Sequence, residues 1–212
     1  MKPEDYALAL LQINAIKLQP GNPFTWASGI KSPIYCDNRL SLSYPKVRES
    51  IALGLANLIK NEYPDTTAIV AVATGGIAHG TLVAHFMGLP LAYVRSAPKG
   101  HGLGNMIEGH IRREEKICII EDLVSTGKSS LNAYNALIDE GYTISGMAAI
   151  FTYGFPSAAE AFKKAGCRLN TLTNYNALLI KALEMKTISN SELEVLERWN
   201  KAPLDWIPES KL

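Results

Sequence analysis

Lys116-Ile117-Cys118-Ile119-Ile120-Glu121-Asp122-Leu123-Val124-Ser125-Thr126-Gly127-Lys128-Ser129-Ser130 is the stretch that decides how this chain folds. Four apolar residues run straight into two adjacent carboxylates. A turn of small polar residues follows, and a helical pattern begins after it. An apolar run without strict alternation suits a strand covered on both faces. In an open α/β sheet, ligands bind beyond the carboxyl ends of such strands. The turn carries what an anion site needs: Gly127 for close backbone approach, hydroxyls on Ser125, Thr126 and Ser129, and amides at a helix start. Amides and hydroxyls would hold a phosphate monoester, and the two acids would accept hydrogen bonds from sugar hydroxyls. Together these describe recognition of a ribose phosphate. The rival reading is a P-loop ending in Thr126-Gly127-Lys128-Ser129. That pattern needs glycine where Asp122 stands, and an acid there would repel the cradled phosphate. The plain alternative is a polar strand-to-helix turn with solvated acids.

Working outward, the same rhythm recurs. Apolar runs at 68–73, 91–94, 117–120 and 147–151, with a weaker one at 167–172, alternate with helical patterns. Residues 47–60 place Ile51, Leu55, Leu58 and Ile59 on one face, and residues 129–140 place Leu131, Tyr134, Leu137 and Ile138 together. Gly141 and Gly166 are natural helix stops after 129–140 and 157–164. A further helix is expected at 76–87. Strand, helix, strand in repetition predicts an α/β fold, an open doubly wound parallel sheet flanked by helices. Two regions break the rhythm. Residues 1–42 hold a helix near 4–15 and then a Pro-, Gly- and Ser-rich stretch, which reads as a small N-terminal hood within a single 1–212 domain. Residues 95–109 contain Gly100, Gly102, Gly104 and Gly109 and read as a flexible functional loop.

Composition sets the outer limits. The chain has 212 residues, 47% hydrophobic and 19% charged, with a formal net charge of +1. This suits one sizeable core and argues against a general nucleic-acid or membrane-surface binder. No segment approaches the ~20 apolar residues needed to span a bilayer. Cys36, Cys118 and Cys167 are odd in number and widely spaced, which indicates neither a disulfide framework nor a zinc site. Cys118 reads as core. The acids at Glu4 and Asp5, with no apolar signal core after them, make a secretory signal unexpected, so a reducing cytoplasmic location is the expectation.

Strand, acid pair and Ser/Thr/Gly turn resemble the motif by which type I phosphoribosyltransferases bind phosphoribosyl pyrophosphate (PRPP). The resemblance implies that Glu121 and Asp122 contact the ribose hydroxyls and that Leu123, Val124, Ser125, Thr126, Gly127, Lys128 and Ser129 wrap the 5′-phosphate. Ala73-Thr74-Gly75-Gly76-Ile77-Ala78-His79-Gly80 is similar to the pyrophosphate loop of these enzymes, with Thr74 and Gly75 against the phosphates. His79 there reads as a helix residue, not a catalyst. Phe24-Thr25-Trp26-Ala27-Ser28-Gly29-Ile30-Lys31-Ser32-Pro33-Ile34-Tyr35-Cys36-Asp37-Asn38-Arg39 resembles the N-terminal signature of orotate phosphoribosyltransferases. It implies that Ser28, Lys31 and Tyr35, together with Ser125, bind orotate. Arg95-Ser96-Ala97-Pro98-Lys99-Gly100-His101-Gly102-Leu103-Gly104-Asn105-Met106-Ile107-Glu108-Gly109 resembles that family's catalytic loop, which implies that Arg95, Lys99 and His101 are the catalytic cations and PRPP ligands. A dinucleotide fingerprint fits this loop poorly, because no convincing helix follows its glycines.

The resemblance spans nearly the whole chain, with four motifs in family order. Some members carry lysine where this chain has Ala27 or Gly75, and a second basic residue where it has Ser96. An arginine that contacts orotate in some members, expected near residues 151–155, has no match here. The implied reaction is displacement of pyrophosphate from PRPP by a ring nitrogen of orotate. Magnesium would be held mainly through PRPP and water, with no direct protein metal site. A homodimer with shared active sites is implied, with no nucleic-acid or membrane partner. A phosphoribosyltransferase for another base, and a non-catalytic PRPP sensor of the same fold, are the competing readings. The 189–212 segment, with Leu193, Leu196 and Trp199 at helical spacing, reads as packing.

Overall fold

A computed structural model describes residues 1–26, 29–95 and 106–208. The chain begins with α1 (Pro3–Gln12), β1 (Ile16–Leu18), β2 (Phe24–Thr25), β3 (Lys31–Ser32), β4 (Ile34–Cys36) and a 3-10 helix (Asn38–Ser43). The body follows as α2 (Pro45–Glu62), β5 (Ala68–Val72), α3 (Gly75–Met87), β6 (Leu91–Val94), β7 (Ile107–Glu108), β8 (Lys116–Val124), α4 (Lys128–Asp139), β9 (Thr143–Thr152), α5 (Pro156–Ala165), β10 (Leu169–Asn174), α6 (Tyr175–Glu184) and α7 (Asn190–Lys201).

Six strands form the main sheet in the order β10-β9-β8-β5-β6-β7. All neighbours are parallel except β6 and β7, which pair antiparallel. The chain steps from β5 outward to β6 and then returns to β8 on the other side of β5. From there it proceeds away through β9 and β10. The strand order therefore reverses between β5 and β8, and a crevice opens beyond their carboxyl ends.

Why the central strands lack alternation is visible in their packing. In β8, Cys118 and Ile120 enter one core while Ile117 and Ile119 enter another. In β9, Ala148 and Ile150 point to the first face, Met147 and Ala149 to the second. Successive side chains leave a strand on opposite faces, and here both faces are dry. The first core takes its helical side from α1, α2, α3, α6 and α7, the second from α4 and α5. Fully burying one such isoleucine contributes about 1.5–3 kcal/mol.

The expected elements form with shifted ends. α1 stops at Gln12 instead of reaching 15, because Asn14 takes a left-handed conformation with φ 56°. Its Tyr6, Ala7 and Leu10 join the main core, and it packs on α6 and β10. The weak strand expected at 167–172 lies at Leu169–Asn174, since Cys167 still closes the end of α5 through its N–H to the Phe162 carbonyl. α6 is not among the periodic segments. Its apolar run Ala177-Leu178-Leu179-Ile180 is continuous, and Ile180 stands exposed between Asn176 and Glu184 on the outer face, which blurs the stripe. Among the described residues no helix is long and apolar enough to cross a membrane.

Candidate active site

The crevice between β5 and β8 is closed below by two helix starts. α3 begins at Gly75 and α4 at Lys128, and in neither does the N-cap side chain make a capping hydrogen bond. Their first amides therefore remain available for an anion. The glycines are sterically required. A Cβ on Gly76 would sit 2.7 Å from the Ile120 carbonyl oxygen, and one on Gly75 would collide with the Asp122 carboxylate. α3 is thus flush against the end of β8, with Asp122 lying over its first turn. Gly127 has φ 78°, and a Cβ there would meet Phe162 at 2.7 Å. Asp122 itself lies in β8, so the segment is a strand end and not a phosphate-cradling P-loop.

The two acids differ sharply. Glu121 is buried, at 4% exposure. Its Oε2 accepts from Ser130 Oγ at 3.0 Å and its Oε1 from the Asp122 N–H at 3.1 Å. Burial, reinforced by the neighbouring Asp122 charge, pushes its carboxyl well above the usual range. Asp122 is half-buried, and its main-chain carbonyl accepts from Asn38 Nδ2 at 2.6 Å. That bond ties the 3-10 helix of the N-terminal region to the acid strand. His79, in α3, is fully buried. Burial lowers its basicity, opposed by the Asp122 charge.

Beside the turn lies a recess of about 190 Å³ lined by Trp26, Tyr35, Cys36, Leu123, Ser125 and Tyr153. It joins the N-terminal hairpins to the ends of β8 and β9. Tyr153 N–H donates to the Val124 carbonyl at 3.2 Å, which holds the segment after β9 against the segment after β8. The Cys36 thiol donates to Asn38 Oδ1 at 3.5 Å. Burial, and then the Asp122 and Asp37 charges, push that thiol well above its usual range, so it stays protonated. Trp26 Nε1 donates to the Ile34 carbonyl at 3.2 Å, which fixes the indole across the hairpin.

The structure thus brings together Thr74, Gly75, Glu121, Asp122, Leu123, Val124, Ser125, Thr126, Gly127, Lys128 and Ser129 along one sheet edge, and both Tyr35 and Ser125 line the recess. Thr126, Lys128 and Ser129 are exposed. Lys31 is apart from the lining. It sits in β3 and donates from Nζ to Thr25 Oγ1 at 2.7 Å. Arg95 stands at the stem of the Gly-rich loop, where its N–H donates to the Met106 carbonyl and its Nη1 lies 3.4 Å from Glu108 Oε1. The expected 95–109 loop is therefore narrower, because residues 107–108 already pair with β6. Lys99, His101 and Ser28 lie outside the described residues.

Cys36 and Tyr153 are lining residues that sequence reasoning did not single out, and Trp26 was read only as part of an aromatic stretch. Tyr153 was detectable in principle: it follows the strand next to the acid strand, at the same sheet edge. Tyr153 also belongs to the 151–155 segment where the resemblance leaves an arginine unmatched.

No protein-family model matches the chain. Among curated proteins it is 51% identical over 200 residues to the orotate phosphoribosyltransferase of Porphyromonas gingivalis, covering 94% of this chain and 95% of that one. It is 52% identical over 201 residues to the orotate phosphoribosyltransferase of Phocaeicola vulgatus, with 95% of each covered. Among solved structures it resembles orotate phosphoribosyltransferase from Aeropyrum pernix, with a TM-score of 0.75 and 24% identity over 86% of this chain and 99% of that one, a likeness of fold. With half its residues shared along nearly the full length of such relatives, the chain belongs to the orotate phosphoribosyltransferase family.

Proposed function

We propose that this enzyme, a pentosyltransferase, moves ribose 5-phosphate from PRPP to orotate, giving orotidine 5′-monophosphate and pyrophosphate in the making of UMP. The observation that carries this reading is the shared turn. Residues 125–129, with free amides and hydroxyls, form one wall of an anion site, and Ser125 also lines the recess. A sugar phosphate seated on the turn places its anomeric carbon toward a flat group in that recess.

Residue roles in this proposal combine position in the fold with the family resemblance. The α4 start, with Thr126, Gly127, Lys128 and Ser129, takes the 5′-phosphate through amides and hydroxyls. Asp122 accepts from the ribose hydroxyls. Glu121 accepts from Ser130 and from the Asp122 N–H, and the family resemblance assigns its remaining hydrogen-bonding capacity to a ribose hydroxyl. Thr74 and Gly75, at the α3 start, take the pyrophosphate. Tyr35 and Ser125, with Ser28 and Lys31 nearby in sequence, take orotate. Charge growing on the departing pyrophosphate is met by Arg95, Lys99 and His101, and closing the loop over the sugar keeps water away. Orotate brings an anionic, nucleophilic ring, so no strong protein base is required.

Among the described residues no group of three or more His, Cys, Asp or Glu could hold a metal. The donor set still fits magnesium, because one half-buried carboxylate suffices for an ion that takes most of its ligands from phosphates and water. When bound, it would neutralise charge on the pyrophosphate. Asp122 is the side chain placed to meet it. A homodimer with shared active sites and a cytoplasmic location belong to the same proposal, supported by the family resemblance. The test is spectrophotometric loss of orotate in the presence of PRPP and magnesium, against adenine, hypoxanthine and uracil. Turnover of orotate alone is the expected result. Turnover of another base with orotate inert overturns the assignment.

A further inference from the structure

Helix α7 has no part in the mechanism so far, yet its side chains reach the recess from behind. Trp199 is fully buried. Its ring stands edge-on to Trp26, with centroids 5.9 Å apart and planes at 82°. It stands edge-on to Tyr153 as well, at 5.7 Å and 77°. Trp26 and Tyr153 are two walls of the recess, one from the N-terminal hairpin and one from the end of β9, and they touch each other at 5.4 Å. One indole from the far end of the chain therefore wedges against both walls at once. The next residue adds a polar tie. Asn200 Nδ2 donates to the Tyr153 carbonyl at 2.8 Å. The helix is itself firmly seated: Ser189 and Glu192 form a reciprocal cap at its start, and the Tyr175 hydroxyl donates to the Leu196 carbonyl at 3.1 Å.

We infer that α7 is a positioning element of the base-binding recess, in which Trp199 and Asn200 set the placement of Trp26 and Tyr153 and thereby the affinity for the planar base. The inference rests on the proposed function, because it takes the recess as the seat of the base. Its physical logic is preorganisation. An aromatic wall contributes to binding a flat ring only if it is held in place beforehand, since ordering it on binding consumes part of the gain. Edge-to-face aromatic packing and one hydrogen bond to a main-chain carbonyl restrict Tyr153 in orientation and in depth. Neither Trp199 nor Asn200 is among the residues lining the recess. Their influence is therefore expected in the term for the base and not in the term for the sugar phosphate, which is held by main chain at the start of α4.

The experiment compares Trp199→Leu, Trp199→Phe and Asn200→Ala with the parent enzyme, measuring kcat and the KM values for orotate and for PRPP. Loss of one neutral hydrogen bond predicts that Asn200→Ala raises the orotate KM about 3- to 10-fold. Trp199→Leu is expected to raise it about tenfold or more, with the PRPP KM within about twofold of the parent. Trp199→Phe keeps a ring between the two walls and should recover most of the affinity lost in Trp199→Leu. If Trp199→Leu does not fold, Asn200→Ala and Trp199→Phe decide the matter by the same split between the two KM values. An unchanged orotate KM in Asn200→Ala, or KM values for both substrates rising together, overturns the inference. A parent enzyme inert toward orotate overturns the functional proposal and this inference with it. An active parent with unmoved orotate KM overturns the inference alone.

Discussion

The two halves of the site are built on opposite plans. The side proposed for the sugar phosphate is one continuous segment, from Glu121 at the end of β8 to Ser129 in the first turn of α4. Its chemistry is carried by main-chain amides, small hydroxyls and two adjacent acids. The recess beside it is assembled from distant pieces: Trp26, Tyr35 and Cys36 from the N-terminal hairpins, Leu123 and Ser125 from the acid strand and turn, and Tyr153 from beyond β9. A phosphate can be held by local backbone geometry, so a few consecutive residues suffice. A flat ring needs walls on several sides, and a single strand-to-helix turn cannot supply them. Asn38 links the two plans, since it bonds the acid strand from within the N-terminal region.

The largest effect expected on the sugar-phosphate side is that of Asp122→Asn, which keeps shape and removes charge. It should lower kcat/KM for PRPP by about 10²–10³ while the thermal unfolding midpoint stays near that of the parent. A folded Asp122→Asn enzyme with parental PRPP kinetics would remove the acid pair from the comparison. Next in size is Gly127→Ala. The residue must adopt φ 78° and its new methyl must displace Phe162, so a loss of about 2–4 kcal/mol in unfolding free energy is expected from denaturant titration. A neutral outcome would mean that the turn relaxes freely and is not geometrically fixed.

Asn38→Ala tests the link. It leaves the partly buried Asp122 carbonyl without its donor, at an expected cost of about 1–2 kcal/mol in stability. Because the bond joins the two halves, the KM values for PRPP and orotate should both rise. A change confined to one substrate would show that the halves are independent.

Glu121→Gln has the smallest expected effect on stability, and its sign is opposite. Burial raises the Glu121 carboxyl above its unfolded value, so the folded protein favours the protonated form. That contribution is fully present below the unfolded pKa and is lost as pH rises toward the folded value. A neutral amide avoids the loss. Glu121→Gln should therefore stabilise the protein by about 0.5–2 kcal/mol at neutral pH and by less near pH 4, while weakening PRPP binding. Melting curves at the two pH values check the sign. Equal shifts at both would show that ionisation of Glu121 costs the fold nothing.

Much of this was legible in the chain. The apolar run at 117–120, the acids after it and the stops at Gly141 and Gly166 are local signals. They act over one strand or one helical turn, so they survive without a partner in view. The doubly wound arrangement followed from their repetition. α6 is hard to read because Ile180, an apolar residue, stands on its exposed face between Asn176 and Glu184 and blurs the stripe. Cys36 and Tyr153 are harder to read: each has a position that points to the sheet's ligand edge, but residue type and local pattern do not separate a recess wall from core. Tyr153 is 2% exposed, and by pattern it is one more aromatic after a buried strand.

By itself the sequence determined the layered α/β fold and the turn from β8 into α4, since both depend on side-chain period and backbone freedom within short windows. It also carried the family, through motifs in order along nearly the whole length. Only the tertiary structure decided which acid is buried against Ser130 and which lies over Gly75, because two adjacent residues of a strand face opposite sides and the sheet's neighbours settle which side is dry. It alone decided that Lys31 turns to Thr25, away from the recess lining, and that Trp199, some 170 positions from Trp26 in this 212-residue chain, stands against it. Contacts of that range carry no local signature. They exist because the β2–β3 hairpin and α7 both pack against the same hydrophobic core, which brings Trp26 onto Trp199.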